Sequence, residues 1–342
     1  MALKLGTVTP SRLYKGTTEI NRAYLGTTLV WNNWDFEIQI QLVAPKLTFG
    51  LGYNSGGTYT GTIDWGDGST STNSFANREH TYSTAGTYNI KVVGQISDVN
   101  FDDYGGAVYK LIAFGKETFN AIRFQNCLNL STSDLKDTLK INGTSLNNLF
   151  RDCVSITTIP YINDWDISTV TTMRHTFRGM TSWNESLSNW DVSNVTDFRY
   201  CFAYASSYNT SLNAWDTSSA TDMRVMFAFS AYNQSLSNFD TSNVTLMTSM
   251  FQSNTAFNQE LDWDFSSITD MSNFMTGKSA ANYDATKYDT LLNACYNGGQ
   301  TQVTLNMGSI EYTSAAATVR SNLTANFGAN ARRWTITDGG QQ

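Results

Sequence analysis

One stretch in the middle of the chain reads WDVSNVTDF, from Trp190 to Phe198. Variants of it occur in five consecutive segments, and the aromatic-Asp pair that opens it returns at steps of 25, 25, 24 and 24 residues. Self-similarity at such a period predicts a solenoid, in which each unit buries its apolar side against its neighbours. The aromatic members of the pair form a ladder of expected core residues: Trp165, Trp190, Trp215, Phe239 and Trp263.

Two further patterns predict the local structure of each unit. Apolar residues at i, i+3 and i+7, as in Val195, Phe198 and Phe202, are typical of one face of a short helix. A Leu-x-x-Trp run, such as Leu187 to Trp190, fits a short strand. One unit is therefore predicted to be a strand, a turn and a helical turn, with the strands of stacked units in a parallel sheet.

An asparagine follows an aromatic residue at the same place in successive units. Stacked asparagine side chains can bond the loop backbone of their own unit and of the next, which satisfies groups that a short coil leaves open. A structural ladder is therefore expected here rather than a binding row. Its members are Asn184, Asn209, Asn233 and Asn258.

Charged residues flank the methionine position of each unit and are expected to face outward. They can form a solvated, weakly salt-bridged face, or equally the polar part of a binding surface, because arginine is over-represented in recognition. The candidate surface residues are Arg174, Arg199, Arg224, Asp197, Asp222 and Asp270.

Upstream segments continue the repeat with other residues. Phe124-x-x-Cys127 and Phe150-x-x-Cys153 lie 26 residues apart. Together with the later units they resemble the leucine-rich repeats of BspA-type bacterial surface proteins, over about residues 105–280. The resemblance implies an α/β leucine-rich-repeat-like solenoid, predicted over residues 96–284, and a role in surface adhesion.

Residues 34–95 have the pattern of a small β domain. Apolar and polar residues alternate from Phe36 to Leu42, the period of a half-buried strand. A Trp-Gly-Asp-Gly turn and a later His-x-Tyr…Gly-x-Tyr pair resemble PKD-type Ig-like domains, which implies a β-sandwich that serves as a spacer or carbohydrate-associated module. The turn residues are Trp65, Gly66, Asp67 and Gly68.

Metal binding is not expected in this Ig-like segment. Asp64 and Asp67 are too few for the six to eight oxygens that Ca²⁺ takes, unless carbonyls and water complete the shell. His80 is expected to be a hydrogen-bonded core residue.

The two ends of the chain are predicted to be accessory segments. Residues 1–33 hold two similar copies with Gly-Thr-Thr, which fit small hairpins. They resemble N-terminal segments of bacteriophage tail and virion proteins, which implies an attachment module; the alternative is an ordinary pair of hairpins. Residues 285–342 are predicted to cap the solenoid with a helix at Tyr288–Tyr296, a strand at Val303–Met307, a helix with Ser314 as N-cap and a final strand.

Composition excludes several functions. The net charge of −7 and the lack of a basic run argue against nucleic-acid binding. No apolar run is long enough for a membrane helix, and the N-terminus lacks the apolar core of a signal peptide, so neither insertion nor export by the common route is expected. The four cysteines form no C-x-x-C pair and are expected to be free, buried thiols.

An enzyme is not expected either. Cys-His catalysis would need His80 or His175, and His175 is predicted to lie on the solvent side of a short helix. A glycan hydrolase would need paired carboxylates in a cleft, whereas the aspartates here occupy repeat positions. No cofactor is therefore expected.

The sequence thus predicts a β-rich multidomain protein that is structural and adhesive. We expect a component of a bacteriophage particle, such as a tail fibre, receptor-binding protein or capsid-attached fibre, located in the virion. Its N-terminal module would dock to other virion proteins and its solenoid would meet a glycan or protein of the host surface; self-assembly, for example as a trimer, is also expected. The alternative is a BspA-type adhesin on a bacterial cell surface.

Overall fold

The computed structural model describes residues 35–45, 47–116, 118–328 and 330–342, together with the backbone of four short strands nearer the N-terminus. These four strands form two antiparallel pairs, β1 with β2 and β3 with β4. The rest of the predicted attachment module, residues 1–33, lies outside the described residues. The strands are β1 (Leu13–Lys15), β2 (Thr18–Ile20), β3 (Arg22–Leu25) and β4 (Thr28–Asn32).

The next segment is rich in short strands. Five of them form an antiparallel sheet. In the strand Phe36–Leu42, buried and more exposed residues alternate, as the period-2 pattern predicts. The strands are β5 (Phe36–Leu42), β6 (Thr48–Gly50), β7 (Thr62–Asp64), β8 (Thr70–Thr72), β9 (Glu79–Thr81), β10 (Gly86–Val93), β11 (Asp98–Asn100), β12 (Val108–Ala113) and β13 (Ala121–Arg123). The order of the five-stranded sheet is β12-β5-β10-β7-β8, and β6 pairs with β9.

The first repeats are joined directly to this sheet. Strand β12 pairs with β5, so the sheet extends past the predicted end of the Ig-like segment at residue 95. Strand β11 pairs in parallel with β13, and Lys110 bridges in parallel to Ser131. The sheet and the start of the repeats therefore share one hydrophobic core.

The carboxylate of Asp137 fastens this junction. It accepts hydrogen bonds from the backbone N–H groups of Phe114 at 2.8 Å and Gly115 at 2.9 Å, directly after β12. Only 1% of Asp137 is exposed. A carboxyl group is tolerated at such a depth because backbone donors satisfy it.

Successive repeats are stacked and bonded through their backbones. Parallel bridges connect equivalent residues, for example Thr172 to Asp197 and Asp197 to Asp222. Between two bridged repeats, every second N–H donates to the next repeat: Phe198 to Asp222 O, Tyr200 to Arg224 O, Phe202 to Met226 O and Tyr204 to Ala228 O, at 2.9–3.0 Å. We call residues 144–276 the repeat stack.

The predicted helical turns are wrong. Within residues 124–284, all of which the structure describes, no α-helix is present. Instead, each repeat has overlapping turns, such as Cys201 N–H to Phe198 O, and two left-handed residues four positions apart, which an α-helix cannot contain. The left-handed residues form two columns: Asn148, His175, Tyr200, Val225, Ser249 and Asn273, and four residues on, Asp152, Gly179, Tyr204, Phe229, Ser253 and Gly277.

The predicted strand in each Leu-x-x-Trp run is also wrong. The run from Leu187 to Trp190 closes a turn, in which Trp190 N–H donates to Leu187 O at 3.1 Å. The following Asp191 accepts from Ser193 N–H at 3.1 Å, because an aspartate side chain readily bonds the backbone two residues on. Between residues 144 and 270, β-bridges between repeats are single positions, and the other cross-repeat backbone bonds run between turns.

Aromatic side chains run through the interior of the repeat stack. Phe202 stacks on Phe177 and Phe227, with ring centroids 5.5 and 5.7 Å apart, and both neighbours are fully buried. Trp165 and Trp190 form a second stacked pair at 6.2 Å. The stack thus holds its apolar side chains in register, each repeat covering the next.

The C-terminal segment continues the stack before closing it. Met271 N–H donates to Thr304 O and Met275 N–H to Asn306 O, which gives the segment the place of a further repeat. The predicted helix after Thr313 begins with a 3-10 turn, Ser314–Ala316, whose N-cap is Thr313 rather than the predicted Ser314. The elements are α1 (Ala285–Asn297), β14 (Thr304–Asn306), β15 (Glu311–Tyr312), α2 (Ala317–Thr324), β16 (Thr335–Thr337) and β17 (Gly340–Gln341), with β14 parallel to β16 and β15 parallel to β17.

In the part of the chain that the structure describes, neither helix has the length and apolar character needed to cross a membrane.

Lys278 bonds the end of the repeat stack, and its ionisation is expected to make the free energy of unfolding depend on pH. Its ammonium donates to the carbonyls of Asn254 and Phe257, both at 2.7 Å, and burial lowers its pKa to about 8. The unfolded chain keeps this proton up to a pKa of about 10.4, so above pH 8 Lys278 binds more protons in the unfolded state than in the folded one, and its contribution to stability rises. Between pH 7.5 and 9.5 this gain is about 1–2 kcal/mol in the free energy of unfolding.

The measurement is urea unfolding across this pH range for the natural chain and for Lys278→Met, whose side chain has a similar shape. Buried cysteines oppose the trend equally in both proteins, since burial raises the pKa of thiols such as Cys201 and Cys295. The difference between the two curves therefore isolates Lys278. Parallel curves would contradict the assignment.

Candidate binding surface

One side of the repeat stack carries the side chains that the backbone turns outward. In the repeat that contains residues 198–204, the side chains of Phe198, Cys201 and Phe202 are buried. Those of Arg199 and Tyr204 reach solvent. Equivalent positions in neighbouring repeats lie side by side, since backbone hydrogen bonds fix their register. We call this side the outer face. It begins with residues 147–179 and continues through the equivalent positions of the later repeats to residue 277.

Four of the predicted surface residues form a network on the outer face. Arg199 binds both carboxylate oxygens of Asp197, with the shortest distance 2.6 Å, and its Nε lies 3.3 Å from Asp222. Arg224 binds Asp222 in the same way. Burial opposes ionisation of Asp197, but the hydrogen bonds from Arg199 outweigh it, and the pKa of this carboxyl lies below its usual value.

The other two predicted residues lie at the ends of this network. Arg174 is exposed, and among the described residues no carboxylate lies within 4 Å of its guanidinium. Asp270 accepts a hydrogen bond from the Thr248 hydroxyl at 2.7 Å and from Ser272 N–H at 2.8 Å. The face therefore changes from cationic at its first repeats to small and polar at its last.

Aromatic residues on the outer face were not predicted. The rings of His175 and Tyr200 stack at 4.6 Å, and those of Tyr204 and Phe229 at 4.7 Å with an interplanar angle of 3°. Tyr204 is 41% exposed and Phe229 39%, so the two adjacent rings form a small exposed apolar patch. The Arg178 guanidinium lies 5.0 Å from the Tyr204 ring centroid, within the range of a cation–π contact.

His175 is half-buried in a cationic environment. Burial and the nearby guanidinium groups lower its pKa to about 4, so the imidazole is neutral at physiological pH. Its buried Nδ1 has no hydrogen-bond partner among the described residues. The four arginines that act on His175 are Arg151, Arg174, Arg178 and Arg199.

The predicted asparagine and aromatic ladders lie away from the outer face. The Asn184 side chain accepts from Asn209 N–H at 2.8 Å, the Asn209 side chain from Asn233 N–H at 2.7 Å, and Asn233 from Asn258 N–H at 2.8 Å. Each asparagine thus bonds the backbone of the next repeat. All five aromatic ladder residues are buried: Trp165, Trp190, Trp215, Phe239 and Trp263.

In the segment predicted to be Ig-like, the candidate turn residues make local hydrogen bonds. Gly66 and Gly68 have φ of 80° and 90°, and Asp67 accepts from Ser69 N–H at 2.9 Å. The bond from the Ser69 hydroxyl, with that from His80 at 2.8 Å, lowers the pKa of Asp67 to about 2. Trp65 lies stacked on His80.

The described residues offer neither a metal cluster nor an exposed thiol. No group of three or more His, Cys, Asp or Glu residues in this part of the chain could hold a metal ion. All four cysteines are buried and free, and burial raises the pKa of Cys153, whose thiol donates to Phe124 O at 2.9 Å.

Comparison with known proteins gives one match. The model of a family described as "Mycoplasma protein of unknown function, DUF285" matches residues 144–262 and 228–296, which together span less than half of the 342 residues. The matched part contains the repeat stack, consistent with the resemblance to BspA-type repeats. No curated protein and no solved structure matches the chain.

Proposed function

We propose that this chain is a non-enzymatic adhesion protein that binds its ligand on the outer face of the repeat stack, a solenoid in architecture. The observation that supports this role most is the pair Tyr204 and Phe229, large rings exposed side by side next to the arginine column. Exposed aromatic residues and arginines are the residue types that recognition surfaces favour. The rigid backbone beneath them keeps their spacing constant, which lowers the entropy lost on binding.

The carrier that we propose is a bacteriophage particle, with the segments as predicted: attachment module 1–33, Ig-like spacer 34–95, solenoid 96–284 and cap 285–342. The support is the resemblance of the N-terminal copies to virion proteins. The alternative, an adhesin on a bacterial cell surface, is supported by the family match over the repeats. In either setting, many copies would strengthen weak individual contacts.

A catalytic role is not part of the proposal. The thiols are buried, and the aspartates of the outer face are held by arginines or by backbone N–H groups. Such carboxylates are engaged in stabilising the face rather than poised for acid or base chemistry.

Binding of the labelled full-length chain to a panel of intact bacterial cells tests the proposal. The full chain is needed, because a fragment starting at Ile96 would lack β5, the partner of β12. We expect the natural chain to bind at least one strain, and the double variant Tyr204→Ser, Phe229→Ser to bind at least about tenfold more weakly, since each lost aromatic anchor typically costs more than 1 kcal/mol.

The matched control removes two exposed apolar side chains elsewhere. Val43 is 88% and Phe327 90% exposed, so Val43→Ser with Phe327→Ser changes apolar surface without touching the outer face. This variant should bind like the natural chain. Equal binding by the outer-face variant, or binding to no strain, would overturn the proposal.

A further inference from the structure

The first repeats of the outer face concentrate positive charge in an acidic protein. Four guanidinium groups are near enough to lower the pKa of His175, whereas the full chain carries a net charge of −7. Carboxylates offset them in part: Asp152 pairs with Arg178 at 2.7 Å and with Arg151 at 3.2 Å, Asp197 pairs with Arg199, and Asp222, which Arg224 also binds, lies 3.3 Å from Arg199. With Arg224 and Asp222 included, five guanidinium groups and three carboxylates leave a net charge of +2, to which the exposed Arg174 contributes.

Aromatic surface borders this cationic cluster directly. Tyr200 stacks on His175, and Tyr204 lies under Arg178. Phe229 extends the surface by one repeat, and the same column then continues with the small residue Ser253, so no large side chain of that column follows Phe229. The outer face thus places guanidinium groups that can bind an anion next to the exposed rings of Tyr204 and Phe229.

From this juxtaposition we infer that the outer face binds an anionic sugar, with its carboxylate or sulfate at Arg174 and the guanidinium groups around it and its ring against Tyr204 and Phe229. Guanidinium groups bind such oxyanions through charge-assisted hydrogen bonds. Arg178 covers one face of Tyr204 and Phe229 the other, so the pyranose lies beside the exposed edge of Tyr204 and on the face of Phe229 that points away from Tyr204. The negative face of an aromatic ring attracts the weakly positive C–H groups of a pyranose. This inference rests on the proposed binding role of the outer face and assigns it a ligand class.

A polyanion such as nucleic acid fits less well. Its phosphates would meet Asp152, Asp197 and Asp222 as well as the arginines, and the chain as a whole repels them. An acidic peptide could satisfy the guanidinium groups but makes no particular use of stacked rings.

Calorimetric titration of the full-length chain tests the ligand class. The three matched probes are tetrasaccharides of galacturonic acid, of 6-O-sulfated galactose and of unmodified, neutral galactose. We expect at least one anionic sugar to bind at least about tenfold more tightly than the neutral one, as a charge-assisted hydrogen bond predicts. Arg174→Gln should remove most of this preference. Arg333→Gln, which deletes an exposed charge in the C-terminal segment, should not.

A second readout reports on the site itself. The chain has two histidines, so the His175 imidazole resonance can be assigned with His175→Gln, and His80 serves as an internal reference. An anion bound among the four arginines should raise the pKa of His175 from about 4, because it offsets their positive charge. The neutral sugar should leave this pKa unchanged.

The outcomes separate this inference from the proposed function. Equal affinity for neutral and anionic sugars, an unchanged affinity in Arg174→Gln, or no binding of any sugar would overturn the inference. Tighter binding of hexaglutamate than of the anionic sugars would assign the site to an acidic peptide instead. If cells are bound through the outer face while all three sugars fail, adhesion stands and only the ligand class is wrong.

Discussion

Replacing Phe202 by alanine is expected to lower the free energy of unfolding by about 3–5 kcal/mol, the usual cost of deleting a fully buried aromatic ring. The ring is completely buried and packs on Phe177, Phe227 and Tyr208, with the last centroid at 4.4 Å. Its neighbours are fixed by backbone bonds between repeats, so the cavity cannot collapse easily. Chemical denaturation followed by tryptophan fluorescence measures the loss.

Phe229→Ala is the matched control for this change. The same atoms are removed from the same kind of repeat, but the ring is 39% exposed. We expect a loss of about 1 kcal/mol or less, since only part of its apolar surface is buried. Similar losses in the two variants would show that the interior aromatic stack does not hold the repeats together.

Asp137→Ala is expected to cost about 2–4 kcal/mol, because it removes the buried carboxyl group to which the N–H groups of Phe114 and Gly115 donate. These groups follow β12, which the sheet and the first repeats share. Loosening them should therefore weaken both parts of the molecule. Hydrogen exchange is expected to show faster exchange in β5 and β12 as well as in the first repeats.

Asp137→Asn removes part of the acceptor rather than all of it. The amide keeps one oxygen that can accept a backbone bond, so its loss should be about half of that in the alanine variant. An alanine variant as stable as the natural chain would mean that water replaces the carboxylate. In that case the junction does not depend on Asp137.

The fold could be predicted from the sequence where one pattern has one structural meaning. Strict alternation from Phe36 to Leu42 predicts β5, because only a strand buries every second residue. The i, i+3, i+7 pattern is ambiguous, since a chain of turns with left-handed residues buries the same positions as a short helix. A discriminating signal is present in the columns themselves: Gly179, Gly277 and Asn273 are residue types that tolerate positive φ.

The candidate site could be predicted in part. Arg199, Asp197 and their equivalents recur in type, so the charged columns are visible from spacing alone. The aromatic residues are harder to find, because the column that holds Tyr200 continues with valine, serine and asparagine. The residue type changes from repeat to repeat in this column. It can therefore be recognised only by aligning the repeats and reading the same position in each of them.

That same column has an evolutionary consequence. His175, Tyr200, Val225, Ser249 and Asn273 share one backbone conformation although their side chains have nothing in common. Main-chain bonds and the interior aromatic rings provide the cohesion, so residues on the outer face are free to diverge while the scaffold stays the same. Point mutations can therefore remodel this surface one repeat at a time while the scaffold stays folded.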